Sequence, residues 1–193
     1  MPRVKTLDKR QAILDAAARV FSGRQFHEAL IDEVAAAARV GKGTIYRYFP
    51  TKDDLYFAAV LHSFDALSEA LAVTLSRESS PHRRLELIAR EVLSFSSNRP
   101  DLYVLLHRDE RRFLKREEEV QKRREALSRL VQEAILEGIR QREFRGIDAR
   151  LGAELFRGMI RAASRLRVGE EKLDAIAAEI VGIFADGIAR RSR

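Results

Sequence analysis

Between residues 39 and 52 the chain reads RVGKGTIYRYFPTK, and this stretch limits the fold more than any other. Basic side chains at 39, 42, 47 and 52, tyrosines at 46 and 48 and glycines at 41 and 43 are more polar and aromatic surface than a core helix can bury. If residues 42–49 are helical, Ile45 and Phe49 share one face, while Lys42 with Tyr46 and Thr44 with Tyr48 form i,i+4 pairs on others. One stripe anchors the helix and the rest is presented to a partner. A short helix after a tight turn, carrying donors suited to phosphate oxygens and base edges, meets the needs of a helix-turn-helix reading element.

The flanking sequence supplies the rest of such a unit. In residues 31–38, Ile31, Val34, Ala35 and Ala38 lie on one helical face. In residues 8–21, Ile13, Leu14, Ala17, Val20 and Phe21 recur at helical spacing, so a first helix can pack across the other two. A new helix is expected after Pro50, with Thr51 as N-cap and Asp54 three positions on as its reciprocal partner.

Beyond residue 52 no strand pattern competes with helix. Prolines at 50, 81 and 100 punctuate segments expected near 52–77, 82–97 and 101–107. Residues 109–141 form a long charged segment with opposite-sign i,i+4 pairs such as Glu118 with Lys122, Glu119 with Arg123 and Glu125 with Arg129. A solvated helix face is the plain reading, and Phe113, Val120, Leu127, Leu130, Val131, Ile135 and Ile139 supply its buried side. Two last helices, 149–167 and 171–190, mix Phe156, Ile160, Ile176, Ile180, Ile183 and Phe184 with glycine and alanine. Their apolar surface is wider than one neighbour normally covers, so these six are the candidate contacts of a two-fold dimer; a fully buried helix within a monomer is the alternative.

The 193 residues carry 36 Lys and Arg against 29 Asp and Glu, a formal charge of +7 that favours a polyanionic partner. Residues 1–55 hold ten basic and seven acidic side chains, a balance of +3, so local geometry rather than bulk charge carries the DNA argument. There is no cysteine, hence no disulfide framework and no thiolate nucleophile or ligand. The first ten residues lack the apolar core of a leader, and no stretch comes near the ~20 apolar residues that span a bilayer, so a cytoplasmic protein without membrane contact is expected. The four histidines are scattered, and no H-E-x-x-H, G-x-S-x-G or phosphate-binding loop occurs. His107 and Glu110 stand at i,i+3, but one pair does not make a metal or acid–base site, so neither a metal nor a cofactor nor an enzymatic role is expected. Core packing for Tyr46 and Tyr48, and a merely flexible turn for Gly41 and Gly43, remain the ordinary alternatives to contact with DNA.

Residues 10–21 (RQAILDAAARVF), Val34-Ala35, Val40, GTIY at 43–46, Tyr48-Phe49 and Lys52 through Leu55 together resemble the N-terminal domain of TetR-type, tetracycline-repressor-like transcriptional regulators. The resemblance covers about the first 55 residues and rests on an ordered combination of motifs. It implies an all-α fold: a three-helix helix-turn-helix domain over 1–52, then a helical ligand-binding and dimerisation domain over 53–193. It further implies a homodimer on palindromic operator DNA, released by a small effector. Lys42, Thr44 and Arg47 are the candidates for base contacts, and Tyr46, Tyr48, Lys52 and Arg39 for phosphate contacts, with Gly41 and Gly43 allowing close approach. Phe57, Leu61, Phe64, Phe95, Tyr103, Leu106 and His107 are the candidates for a largely apolar pocket, and NRPDLY at 98–103 loosely resembles members that sense fatty acyl compounds. An activator or co-regulator is the alternative within regulation, and a helical binding protein or enzyme with a vestigial DNA module the alternative outside it.

Three positions depart from the family pattern. Gln25 stands where glycine usually precedes the aromatic, with Gly23 as an earlier helix stop. Arg39 stands where the turn usually has glycine, and a left-handed backbone there would cost roughly 1 kcal/mol. Ala29-Leu30 replaces the usual hydroxyl residue that caps the second helix and reaches a phosphate, so that contact is expected to be missing.

Overall fold

The computed structural model describes residues 3–107, 117–166 and 169–188. Nine α-helices run through the described residues, with no β-strand among them: α1 (Arg3–Ser22), α2 (Ile31–Ala38), α3 (Lys42–Tyr48), α4 (Lys52–Leu75), α5 (Pro81–Asn98), α6 (Pro100–His107), α7 (Glu117–Arg140), α8 (Ala149–Ala163) and α9 (Leu173–Ile188). By packing the chain forms two compact units, residues 1–66 with 99–120 and residues 67–98 with 121–193. Neither is continuous in sequence: the first contains α6, and α4 contributes to both.

In the first unit the apolar face of α1 (Ile13, Leu14, Ala17, Phe21) is buried, together with Ala16 and Ala18, whose small side chains let neighbours lie close. Helix α2 packs across α1 with Ile31, Val34 and Ala35, and α6 packs on α1 with Leu102 and Leu105 buried. Ile45 and Phe49 close the core at α3, 1% and 4% exposed, so both anchoring positions expected from the spacing are inside. Phe21, Phe26 and Tyr56 form an aromatic cluster, with Tyr56 edge-on to Phe21 at 4.9 Å and to Phe26 at 5.2 Å between ring centroids. The start of α4 is the reciprocal cap that the sequence predicts. Asp54 N–H donates to Thr51 Oγ1 at 3.0 Å, and Thr51 N–H donates to Asp54 Oδ2 at 3.2 Å. Contrary to the sequence expectation, α4 is long enough, and over an 18-residue window apolar enough (mean hydropathy 1.3), to cross a bilayer. Its Leu55, Tyr56, Phe57, Val60, Phe64, Leu67 and Leu71 are instead buried within the protein.

The second unit is built on α9. It packs along α5 and against α8, with Phe156 and Phe184 in contact at 5.1 Å between centroids. The pyrrolidine of Pro81 opens α5, and Asp148 caps α8 by accepting from Arg150 N–H at 2.8 Å and Leu151 N–H at 2.9 Å. Helix α7, whose first turn with the buried Val120 belongs to the first unit, buries Val131, Ala134 and Ile135 in this one, and Arg129 reaches Glu125 at 4.0 Å. The expected helix began at 109; residues 108–116, with Glu110 and Phe113, lie outside the described residues, so the His107–Glu110 pair is not placed.

The chain leaves α7 through a turn in which Arg142 is left-handed (φ 63°) and Phe144 folds back over Gly138. A Cβ at 138 would clash with the edge of the Phe144 ring, at Cδ2 and Cε2. Gly138→Ala is therefore expected to destabilise the protein by about 1–3 kcal/mol despite alanine's better helix propensity, as urea unfolding would show. A Gly138→Ala variant at least as stable as the parent would mean that Phe144 can turn aside at no cost.

Candidate nucleic-acid interface and effector region

Helix α3 is held by Ile45 beneath it and by Phe49 at its end, whose N–H donates to Ile45 O at 2.8 Å. On its other faces Lys42, Gly43, Tyr46 and Arg47 are exposed, and Thr44 and Tyr48 are half-buried. Tyr46, 41% exposed, is not a core residue. The Arg47 guanidinium lies 5.9 Å from the Tyr48 ring centroid. Gly41 caps α3 in an extended conformation (φ −73°, ψ 148°), and a Cβ at 41 or 43 would meet nothing within 4 Å. The protein itself does not require glycine at either position.

Two of the basic candidates are engaged within the protein. Lys42 Nζ donates to Asp32 Oδ2 on α2 at 2.9 Å, and this hydrogen bond and charge raise the Lys42 pKa above its usual value. Lys52 Nζ lies over the Phe26 ring at 4.5 Å and donates to the His27 carbonyl at 3.5 Å, which ties α4 to the loop before α2. Sequence reasoning did not find Asp32. Its partner is ten residues away across the turn, so the pair becomes visible only when the crossing of α2 and α3 is known.

The departures from the family pattern have local solutions. Helix α1 ends at Ser22, before Gly23, which does not use a positive φ. Leu30 occupies the N-cap of α2 with no side-chain hydrogen bond, 56% exposed, and Glu33 Oε2 accepts from Leu30 N–H at 3.2 Å. Glu33 is itself paired with Arg24 at 2.7 Å. Arg39 is left-handed, φ 55° and ψ 43°, and its N–H closes α2 on Ala36 O. Arg39→Gly should therefore raise stability by about 1 kcal/mol, measured as a shift in thermal or denaturant midpoint. A variant less stable than the parent would show that the Arg39 side chain contributes more than its backbone costs.

Of the effector candidates, Phe57, Phe64 and Leu106 are buried and Leu61 and Tyr103 half-buried in the first unit, while Phe95 is buried in the second. His107 is exposed; its Nδ1 donates to the Tyr103 carbonyl at 3.0 Å and its ring lies 4.4 Å from that of Tyr103. A half-open groove of about 450 Å³ lies elsewhere, between α5 and α9, lined by Arg83, Glu86, Leu87, Arg90, Asp174 and Ala177. Its arginines are paired, Arg83 with Glu86 at 2.6 Å and Arg90 with Asp174 at 2.7 Å, so it is not the apolar pocket expected. Among the described residues no group of three or more His, Cys, Asp or Glu could hold a metal ion.

A polar joint in the first unit connects α1, α4 and α6. Asp15 Oδ1 accepts from Nη2 of Arg99, immediately before α6, at 2.8 Å and from His62 Nε2 on α4 at 3.1 Å. Asp15 lies on the side of α1 away from the Ile13, Leu14, Ala17 and Phe21 face, so no break in the apolar spacing marks it in the sequence.

The expected dimer residues need correcting. Phe156, Ile160, Ile180 and Phe184 are 0–6% exposed within a single protomer and Ile176 is half-buried, because the inner faces of α8 and α9 pack on each other and on α5. Only Ile183 of the six is open, at 63%. The apolar surface left on these helices is Leu151 (60%), Leu155 (58%) and Ile183, and on α8 Gly158 and Ala162 continue the i, i+4, i+7, i+11 stripe that begins at Leu151.

Two family models match this chain. One, described as bacterial regulatory proteins of the tetR family, covers residues 13–59, and the other, described as the tetracyclin repressor-like C-terminal domain, covers residues 78–188. The chain belongs to the TetR family of bacterial regulatory proteins. It is a helix-turn-helix transcriptional regulator with a helical C-terminal domain. The fatty acid metabolism regulator protein of Bacillus subtilis (strain 168) is 22% identical over 172 residues, 88% of this chain and 89% of that protein. Among solved structures, the transcriptional regulator FadR from Bacillus subtilis in complex with stearoyl-CoA superposes with a TM-score of 0.77 at 21% identity, covering 92% of this chain and 98% of that one. AibR in complex with isovaleryl coenzyme A and operator DNA superposes at 0.74 and 23% identity, covering 91% and 97%.

Proposed function

We propose that this protein is a cytoplasmic repressor that binds a palindromic operator as a homodimer and releases it when an acyl-coenzyme A thioester binds. The observation that carries the reading is α3: Ile45 and Phe49 are buried, and Lys42, Thr44, Tyr46 and Arg47 stand on the faces left open, as base and phosphate contacts require. Residues 1–52 act as the reading head. Arg39, Tyr48 and Lys52 position it on phosphates, and the open space at Gly41 and Gly43 admits the DNA backbone. Leu30 brings no hydroxyl to the DNA, so one phosphate contact usual in the family is absent.

The effector class is supported by the B. subtilis fatty acid regulator and by the two acyl-CoA complexes. Phe57, Leu61, Phe64, Tyr103, Leu106 and His107 of the first unit would take the acyl chain. A ligand that displaces α6 pulls on Arg99, and through Asp15 on α1 and His62, so the polar joint gives the effector a mechanical hold on the reading head. The protein acts by binding rather than catalysis.

Fluorescence anisotropy against duplex selected from a randomised library tests this reading. Nanomolar binding that weakens steeply as salt rises, with a two-fold symmetric selected sequence, is the expected result. Binding that is indifferent to sequence would refute it.

A further inference from the structure

Asp32 is an exposed acid that pairs with α3, the helix proposed to meet a polyanion, and the fold draws little stability from it. Its side chain is 67% exposed and that of Lys42 50% exposed, and an ion pair so open to water adds little to stability. What the pair does is hold a donor and an acceptor side by side, 2.9 Å apart, at the first turns of α2 and α3. In the major groove a G·C pair shows the complementary arrangement. Guanine O6 accepts, cytosine N4 donates, and the two are joined by a Watson–Crick hydrogen bond of about the same length, roughly 2.9 Å.

We propose that Asp32 and Lys42 act as one reading unit for a G·C pair in each operator half-site. Lys42 donates to guanine O6 and N7 and keeps its third proton for Asp32, while Asp32 accepts from the cytosine N4 amino group with the lone pairs that Lys42 does not use. The other base pairs fit poorly. C·G sets the amino donor opposite the ammonium, and A·T reverses donor and acceptor in the same way. T·A keeps the order but replaces N7 with a methyl group beside the acceptor. The lysine alone would favour guanine; the carboxylate adds a penalty for any base that lacks a donor at the second position, where it would be left unpaired. This inference rests on the reading of α3 as the DNA-contacting helix.

The test is site selection from a randomised duplex library, followed by anisotropy on the selected operator with each of the four base pairs at each position, for wild type, Asp32→Ala, Asp32→Asn and Lys42→Ala. Thermal melts establish that each variant is folded, and the isosteric Asp32→Asn covers the case in which Asp32→Ala is not. Wild type should prefer G·C at one position of each half-site by about tenfold or more. In the Asp32 variants that preference should fall to roughly threefold or less at that position alone, and Lys42→Ala should relax the same position. Unchanged preference in the Asp32 variants, a uniform change of affinity across all sequences, or relaxation at different positions for Asp32 and Lys42 would each overturn the pair reading while leaving the regulator intact. A wild type that selects no sequence would instead remove the DNA-binding reading and this inference with it.

Discussion

Ile45→Asp should abolish operator binding by unfolding the reading head, at a cost of roughly 3–5 kcal/mol. The side chain is 1% exposed on a helix that packs against α2, so a carboxylate there has no water and no partner. The substitution must either bury a charge or expel α3. Tyr46→Phe is the contrasting case: Tyr46 lies on the open side of the same helix, so the variant should keep the parental melting temperature and lose affinity only for DNA. Circular-dichroism melts combined with anisotropy separate the two effects. An Ile45→Asp protein that melts with the parent would mean that α3 is not anchored through this residue.

Leu155→Glu combined with Ile183→Glu should convert the dimer to a folded monomer, raising the dissociation constant by about 100-fold or more. These side chains are 58% and 63% exposed within the protomer, so replacing them should cost the internal core little. Phe184→Glu should behave differently. Phe184 packs on Phe156 at 5.1 Å inside the protomer, and a charge there should destroy the unit rather than separate two copies. Sedimentation velocity and thermal melts on both variants distinguish the outcomes. A wild type that sediments as a compact monomer at micromolar concentration would contradict the dimer altogether.

These contrasts mark how far the sequence could be read. The helices and their caps were legible because each is a local event: the Thr51–Asp54 box, the prolines that open α5 and α6, and the 3.6-residue spacing that selects Ile45 and Phe49 all involve residues within one or two turns. The strained backbone at Arg39 was legible for the same reason. The dimer face was not. Helices α8 and α9 are apolar on two sides, and periodicity cannot say which side meets α5, so Phe156 and Phe184 were assigned outward when they pack inward. The two polar constellations, Asp32 with Lys42 and Asp15 with His62 and Arg99, were equally hidden. Their members lie 10 to 84 residues apart and meet only through tertiary packing.

Release by an effector is tested by a pair of calorimetric titrations of acyl-coenzyme A thioesters of increasing chain length, into the free protein and into its complex with selected operator. If the thioester releases the protein from DNA, the two ligands are linked, and saturating operator must weaken thioester binding by the same factor that thioester weakens operator binding. A thioester that binds the free protein and loses about 5–150-fold in affinity on the complex, matched by an equal loss of operator affinity in anisotropy, is the predicted result. A thioester bound equally well with and without operator, or no binding at any chain length, would contradict it.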